Sequence, residues 1–164
     1  MATLIPSLAQ CLRRMTPGEK RVAERLLAKL EDDYLCWYDI AVGKRSRYPD
    51  FILLHPRRGL LVLEVKDWKL DIIQSADKNG FTLLTPNGHK VAPSPLEQAR
   101  QCAQAIYNKL EADPLLREQR PGYGDRLCLP YGYGVVFTNI TRRAFERAQL
   151  GEIIPGDRVI CRDE

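Results

Sequence analysis

The strongest constraint on the fold of this chain is a pair of short apolar segments separated by a turn. Residues 51–54 (FILL) and 60–66 (LLVLEVK) flank the sequence HPRRG, and this arrangement predicts a β-hairpin. The apolar character of both segments is nearly continuous. It indicates strands buried on both faces, as in the centre of an α/β sheet. The charged residues at the end of the second segment then need an explanation.

Three charged residues fall at the same end of this hairpin. Residues i and i+2 of a strand share a face, so Glu64 and Lys66 project together. With the turn centred on Arg57, Asp50 lies directly opposite Glu64, and such positions have their Cβ atoms about 5 Å apart. Asp50, Glu64 and Lys66 are therefore predicted to converge at one end of a buried sheet.

The two carboxylates of this group favour a metal site. Buried carboxylates this close repel each other, and burying them is costly unless a cation compensates. Bridging oxygen ligands from Asp50 and Glu64 suit Mg²⁺ or Mn²⁺, and the backbone carbonyl of Val65 is a further candidate ligand. Such a cation polarises a phosphate oxygen and lowers the pKa of a bound water, while Lys66 orients that water or neutralises developing charge. This arrangement suits phosphodiester hydrolysis.

A simpler interpretation of the same residues stays open. Asp50 could cap a strand, while Glu64 and Lys66 form a solvated ion pair at its end, because charged strand ends are common. The predicted hairpin register and the apolar flanking residues favour the site over this interpretation.

The rest of the chain predicts one compact domain with a mixed sheet and helices on its faces. The segment Thr16-Pro17-Gly18-Glu19 has the pattern of a helix start with a capping box, and Ser94-Pro95-Leu96-Glu97 has it again. Residues 70–92 hold two weaker strand-like pieces around the turn dipeptide Asn79-Gly80, at 70–73 (LDII) and 80–84 (GFTLL). Further elements are predicted as strands at 34–42, 134–138 and 158–161, a helix from 94 to about 110, and a short helix at 141–150.

Composition excludes several classes of protein. The chain has 164 residues and a net charge of only +4, so it permits a nucleic-acid partner without requiring one. No apolar stretch is long enough to span a bilayer, and the N-terminus lacks the features of a secretory signal. The five cysteines form no C-x-x-C pair and there are two histidines, which argues against a zinc site. Free thiols in the cytoplasm are expected.

Four motifs together resemble one known family. They are Pro49-Asp50 followed by Glu64-Val65-Lys66, then Gly18-Glu19, residues 95–99 (PLEQA) and residues 134–137 (GVVF). The chain resembles the nuclease-related domain family (NERD), within the PD-(D/E)xK nuclease superfamily. The resemblance covers roughly residues 16–140. It implies a restriction-endonuclease-like α/β fold over residues 16–164, preceded by a lead-in of residues 1–15.

The resemblance also implies roles for individual residues. Asp50 and Glu64 would be metal ligands, Lys66 the catalytic lysine, Glu19 an accessory acidic residue near the metal, and Gln98 a residue at the edge of the site. The family commonly occurs in bacteria, fused to helicase-like, kinase-like or DNA-binding regions, and is inferred to act in DNA processing. The chain stops directly after its last predicted strand, so we expect it to be a domain cut from a longer protein or the front end of one. The resemblance implies that this longer protein is helicase-like.

Some of these residues have a second interpretation. Glu19 could simply complete the capping box with Thr16, although its position on the apolar stripe points it towards the core; the two roles are compatible. Lys44, Arg45 and Arg47 form the densest basic run, directly before Pro49-Asp50. They could grip DNA phosphates beside the scissile bond or lie in a solvated loop.

The sequence therefore predicts a Mg²⁺- or Mn²⁺-dependent nuclease that cuts DNA. A non-catalytic DNA-binding or docking domain of a helicase-like protein is the alternative, and a structural adaptor that binds no nucleic acid is a third. Trp68 is expected to be half-buried, and His55 and His89 fall in predicted turns without an assigned role.

Overall fold

A computed structural model describes residues 1–43, 47–119, 122 and 126–164. These residues form four α-helices and nine strands in two sheets. The helices are α1 (Leu8–Cys11), α2 (Pro17–Lys29), α3 (Pro95–Glu111) and α4 (Arg142–Arg147). The strands are β1 (Thr3–Ile5), β2 (Leu35–Tyr38), β3 (Phe51–His55), β4 (Gly59–Lys66), β5 (Ile73–Ala76), β6 (Gly80–Thr85), β7 (Gly88–Pro93), β8 (Tyr131–Phe137) and β9 (Val159–Ile160).

The main sheet has six strands in the order β1-β2-β3-β4-β8-β9. The β2–β3 and β3–β4 pairs are antiparallel, whereas β1–β2, β4–β8 and β8–β9 are parallel. The predicted mixed sheet is confirmed, and β4 lies near its centre, as the apolar character of residues 60–66 requires. This mixed α/β architecture is consistent with a restriction-endonuclease-like fold.

Helices cover the two faces of the main sheet unequally. Helix α2 packs its Val22 and Ala23 against one face, over a core that includes Phe51 and Val65. On the other face, Cys102 and Ala103 of α3 pack against Ile52 and Val62. Further along that second face, α4 and the small sheet enclose a third apolar cluster around Phe81, Phe137 and Phe145.

The structure corrects the prediction for residues 70–92. Three strands, β5, β6 and β7, form a separate antiparallel sheet, whereas two strand-like pieces were predicted. Residues Leu70–Ile72, expected to be extended, form a 3₁₀ turn instead. The third strand escapes prediction because β7 is almost entirely exposed and so lacks an apolar alternation.

One other predicted boundary differs from the structure. The strand expected over residues 34–42 ends at Tyr38, because Asp39 has a φ of 50°, which an extended strand cannot contain. Residues 1–15, expected as a lead-in, contribute α1 and the edge strand β1, with Leu4 and Cys11 buried in the core. Among the described residues, no helix is long and apolar enough to cross a membrane.

Candidate active site

The hairpin formed by β3 and β4 has the predicted register. Leu54 pairs with Leu60, and Phe51 pairs with Leu63. Continuing this register by one position places Asp50, which directly precedes β3, opposite Glu64 of β4. The alternation of β4 puts Glu64 on the face that carries Val62 and packs against α3. The convergence of the charged residues follows from the pairing of these two apolar strands.

Glu64 is buried and Asp50 is half-buried, and each carboxylate has one partner. Glu64 is only 6% exposed, and its Oε1 is 2.6 Å from Lys66 Nζ. Oδ2 of Asp50 accepts a hydrogen bond of 2.6 Å from the backbone N–H of Val65. None of the described residues donates a hydrogen bond to Asp50 Oδ1 or Glu64 Oε2. One oxygen of each carboxylate therefore remains available for a ligand.

The positive charge of Lys66 does not neutralise the carboxylates of both Asp50 and Glu64. Burial raises the pKa of Asp50 from its ordinary 3.8 to about 7, with a further contribution from the negative charge of Glu64. Burial also raises the pKa of Glu64, although Lys66 opposes the rise. Holding both carboxylates ionised costs free energy that one lysine does not offset. One buried and one half-buried carboxylate on paired positions of the hairpin are a donor set that fits a hard divalent cation.

Glu19 adds a third carboxylate from the opposite side of the sheet end. It occupies the first turn of α2, where its Oε2 accepts the backbone N–H of Thr16 at 3.0 Å, so the predicted capping box is present. The same oxygen accepts a 2.6 Å hydrogen bond from the hydroxyl of Tyr38. Its negative charge contributes to the raised pKa of Asp50 and of Glu64. Glu19 therefore caps the helix and also adds to the negative potential of the carboxylate pair.

Tyr38 is a residue of this group that the sequence did not suggest. It ends β2 and is 3% exposed. Its ring packs at a tilt against the ring of Phe51, with the two centroids 5.4 Å apart. Burial and the hydrogen bond to Glu19 raise the pKa of its hydroxyl, so it stays a neutral donor. Tyr38 therefore fixes the position of the Glu19 carboxylate. Only the aromatic content of residues 34–42 hinted at a packed tyrosine there.

Asp67 anchors α2 to the end of β4 and was also missed. Its Oδ2 accepts the backbone N–H of Gly18 at 2.8 Å, its Oδ1 lies 3.2 Å from Arg21 Nη2, and the hydroxyl of Thr138 bonds to the same oxygen. A Cβ at Gly18 would lie 1.8 Å from Asp67 Oδ1. The glycine of the Gly18-Glu19 motif is thus the residue that lets this carboxylate reach the helix N-terminus, a favourable place for negative charge.

Comparison with known protein families agrees with this geometry. Residues 15–138 match the model of the nuclease-related domain, a span that contains the carboxylate pair, Lys66 and the Gly18-Glu19 motif. The chain belongs to the nuclease-related domain family. Membership of the PD-(D/E)xK superfamily is consistent with this assignment. No curated protein and no solved structure shows significant similarity to the chain.

Helix α3 closes the side of the nuclease-related domain that faces the pair. Cys102 of α3 packs in one cluster with Val62, which shares a face of β4 with Glu64, so α3 lies near the pair. Burial raises the pKa of Cys102 to about 11, with a contribution from the charge of Glu64. Gln98 stands one turn before Cys102 on the same helix stripe and is half-buried. Its expected place beside the site is compatible with this position. Its role stays a prediction, as does that of the Val65 carbonyl.

The basic run is described only at its last residue. Lys44 and Arg45 lie outside the described residues. The backbone of Arg47 bridges to Val42, and its Nη2 donates a 2.9 Å hydrogen bond to Oε1 of Gln101 on α3. Arg47 therefore contacts α3, and contact with DNA phosphates stays a prediction for all three residues.

A second polar cluster lies at the turn end of the same hairpin. Ligand atoms of Glu31, Asp33 and His55 are all within 4.8 Å of one another. His55 Nδ1 accepts the backbone N–H groups of Arg57 and Arg58 at 3.0 and 3.1 Å, so the ring proton is on Nε2, 3.0 Å from Asp33 Oδ2. A cation at Nε2 would require the ring to give up both backbone bonds. The cluster therefore fits a brace for the hairpin turn better than a metal centre.

Proposed function

We propose that this nuclease-related domain is a Mg²⁺- or Mn²⁺-dependent nuclease that hydrolyses DNA phosphodiester bonds. The observation that carries the proposal is the pairing of Asp50 with Glu64 in a buried place, with Lys66 on the same strand and the pKa of both carboxyl groups raised. A structural ion pair would have no use for a second carboxylate without a counter-charge. The family membership supports phosphodiester hydrolysis as the reaction class.

Each residue of the site has its own proposed role in hydrolysis. Asp50, Glu64 and the carbonyl of Val65 would hold the cation, which when bound polarises the phosphate and lowers the pKa of a coordinated water. Lys66 lies 2.6 Å from Glu64, which aims its ammonium group at the carboxylate pair. There it orients the attacking water and stabilises negative charge as the oxygen–phosphorus bond forms and the ester bond breaks. Glu19, held by Tyr38, strengthens the negative potential that attracts the cation.

DNA is the proposed substrate, and a fused or associated helicase-like region is the proposed partner. Both rest on the family and on the basic run at 44–47 beside Pro49-Asp50. Plasmid DNA incubated with the protein should be nicked or linearised with Mg²⁺ or Mn²⁺ and left intact with EDTA. An RNA of equal length, tested in parallel, decides the substrate class. Salt-sensitive binding without any cleavage would support the non-catalytic alternative instead.

A second prediction concerns metal binding without catalysis. Mg²⁺ or Mn²⁺ at one hundred times its dissociation constant should stabilise the fold by about 2.7 kcal/mol, which raises Tm by about 5–10 °C. The carboxyl pKa of Asp50 is about 7 in the fold and 3.8 ordinarily, so between these values the metal-free fold holds a proton that the unfolded chain has released. Stability without metal should therefore fall as pH rises through this window. At a fixed metal concentration, the metal-induced rise in Tm should be larger at pH 8 than at pH 5.5.

Two variants locate the cation in this experiment. Asp50→Asn should lose the metal-induced rise in Tm and also flatten the pH dependence without metal. Asp33→Asn, in the cluster around His55, should keep both effects. If the metal-induced rise in Tm is unchanged in Asp50→Asn and lost in Asp33→Asn, the cation binds at the His55 cluster. That result would contradict the proposed site.

A further inference from the structure

Helix α2 covers only part of the face of the main sheet on which it lies. Helix α2 packs over the half of the sheet that contains β1 and β4. Beside it lies an open groove of about 500 Å³, whose walls and floor include Leu26, Leu63, Val136 and Ile160. Ile160 is 41% exposed, unlike the residues of the opposite face, which α4 and the small sheet enclose. The groove therefore occupies the place where a second helix would complete the layer.

The sequence of β8 keeps this part of the sheet free of side chains. Gly132, Gly134 and Val136 alternate on this face, so two of its three positions carry no side chain. A Cβ at Gly134 would lie 3.0 Å from the carbonyl oxygen of Arg158, and Leu61, paired with Gly132, is 36% exposed. The absence of a side chain at Gly134, which is buried, accommodates the Arg158 carbonyl of the neighbouring strand, while Leu61 adds exposed apolar surface to the same face of the sheet.

Basic side chains line both banks of the groove. Arg21, Arg25 and Lys29 follow one another at intervals of four residues along α2, and Arg162 stands on the other bank. Arg21 is engaged by Asp67. The side chains of Arg25, Lys29 and Arg162 make no hydrogen bond or ion pair with any residue that the structure describes.

The acidic residues of the groove do not neutralise this charge. Oε2 of Glu164 is paired with Nη2 of Arg142 at 2.7 Å. Among the described residues that line the groove, Glu24 is the remaining acidic residue that could offset its cations. The unpaired cations therefore outnumber the unpaired anions around an apolar floor.

We propose that this groove docks an acidic amphipathic helix of a partner protein. Apolar side chains of that helix, at i, i+3 or i+4 and i+7, would pack on Leu26 and Ile160. Its aspartates and glutamates would face the unpaired cations of the two banks. The thirteen residues of α2 give a wall of about 20 Å, which matches about four turns of a partner helix.

The composition of the groove favours protein over nucleic acid. Single strands bind on aromatic platforms that stack with bases, whereas the floor here is aliphatic. Basic banks around an aliphatic floor match the two sides of an amphipathic helix.

A display library of 18-residue helical peptides, randomised in sequence, provides the probe. Selection on the wild-type protein, with counter-selection on Arg25→Glu/Lys29→Glu, should enrich peptides with an apolar stripe and an acidic opposite face. Fluorescence anisotropy of the enriched peptides should show at least tenfold weaker binding to Arg25→Glu/Lys29→Glu. The matched control Lys20→Glu/Arg143→Glu reverses two exposed charges elsewhere and should bind normally.

Three results would overturn the proposal. The first is that no peptide distinguishes the wild type from Arg25→Glu/Lys29→Glu. The second is that this variant loses binding of a DNA oligonucleotide while no acidic peptide binds, which would assign the basic row to nucleic acid. The third is a wild-type dimer in sedimentation that the same variant converts to monomer, which would assign the groove to a second copy of the chain. All the substituted residues are exposed, so the variants should fold.

Discussion

Asp50→Asn and Lys66→Ala should each lower metal-dependent DNA cleavage by about a thousandfold or more while the fold persists. The effect is large because each change removes a charge that the reaction requires in a water-poor place. Asparagine at position 50 is isosteric with aspartate, and its oxygen can still accept the N–H of Val65. Without metal, Asp50→Asn should be at least as stable as the wild type, because it removes a carboxylate whose ionisation burial disfavours.

Lys66→Ala needs a separate check of folding. It leaves Glu64 without its ion-pair partner at 2.6 Å, and an unpaired buried charge is destabilising. Because the pKa of Glu64 is already raised by burial, the carboxyl group can take up a proton instead. We expect a folded protein by circular dichroism, with cleavage of plasmid DNA measured at equal concentrations.

Two exposed residues close to the site serve as controls. Lys69→Ala removes a lysine three positions along the chain, and Asp71→Asn removes an exposed carboxylate in the same way as Asp50→Asn. Both should cleave at the wild-type rate. Cleavage that survives in Asp50→Asn and Lys66→Ala, or in EDTA, would contradict the proposed catalytic residues.

Gly18→Ala should destabilise the protein by about 3 kcal/mol, which lowers Tm by about 6–12 °C. The introduced Cβ would lie 1.8 Å from Asp67 Oδ1, so the carboxylate must move. It then loses its hydrogen bonds to the Gly18 N–H, to Arg21 and to Thr138, each worth about 1–3 kcal/mol for a charged group. The better helix propensity of alanine returns at most about 1 kcal/mol. Thermal unfolding of the purified protein measures the difference.

A double-variant cycle identifies the cause of this loss. In Asp67→Ala the carboxylate is absent, so adding Gly18→Ala should cost almost nothing, and the two changes should be non-additive by about 2 kcal/mol or more. Gly151→Ala is the matched control, because a Cβ there meets no atom closer than 3.8 Å. Strictly additive losses would show that Gly18 matters for some reason other than its contact with Asp67.

Elements with strong local patterns were predictable. The capping pattern at Thr16 to Glu19 placed the start of α2, and the two apolar segments and the turn within residues 51–66 predicted the β3–β4 pairing with the correct register. These features depend on residues close together in the chain. Exposed strands such as β7, and strand ends set by an unusual backbone angle such as Asp39, were not predictable because their cause is not apolar periodicity.

The network around the site was less predictable than its central residues. Tyr38 and Glu19 are 19 residues apart, and Asp67 and Gly18 are 49 apart, so their contacts depend on how α2 docks on the sheet. The motif Gly18-Glu19 was visible, yet nothing in it indicates that the glycine accommodates a carboxylate from the end of β4. His55 likewise looked like a turn residue, and only the folded hairpin shows it bonded to two backbone N–H groups and Asp33.

By itself, the sequence determined the apolar hairpin and the convergence of Asp50, Glu64 and Lys66 at one end of it. Strand alternation and hairpin pairing are local rules, so the order of residues is enough to apply them. The tertiary structure decided what surrounds that group: the burial that raises the pKa of Asp50, the carboxylate of Glu19 set by Tyr38, and the open groove beside α2. Each of these depends on which elements pack together, because burial and electrostatic coupling arise from neighbours that are distant in the chain.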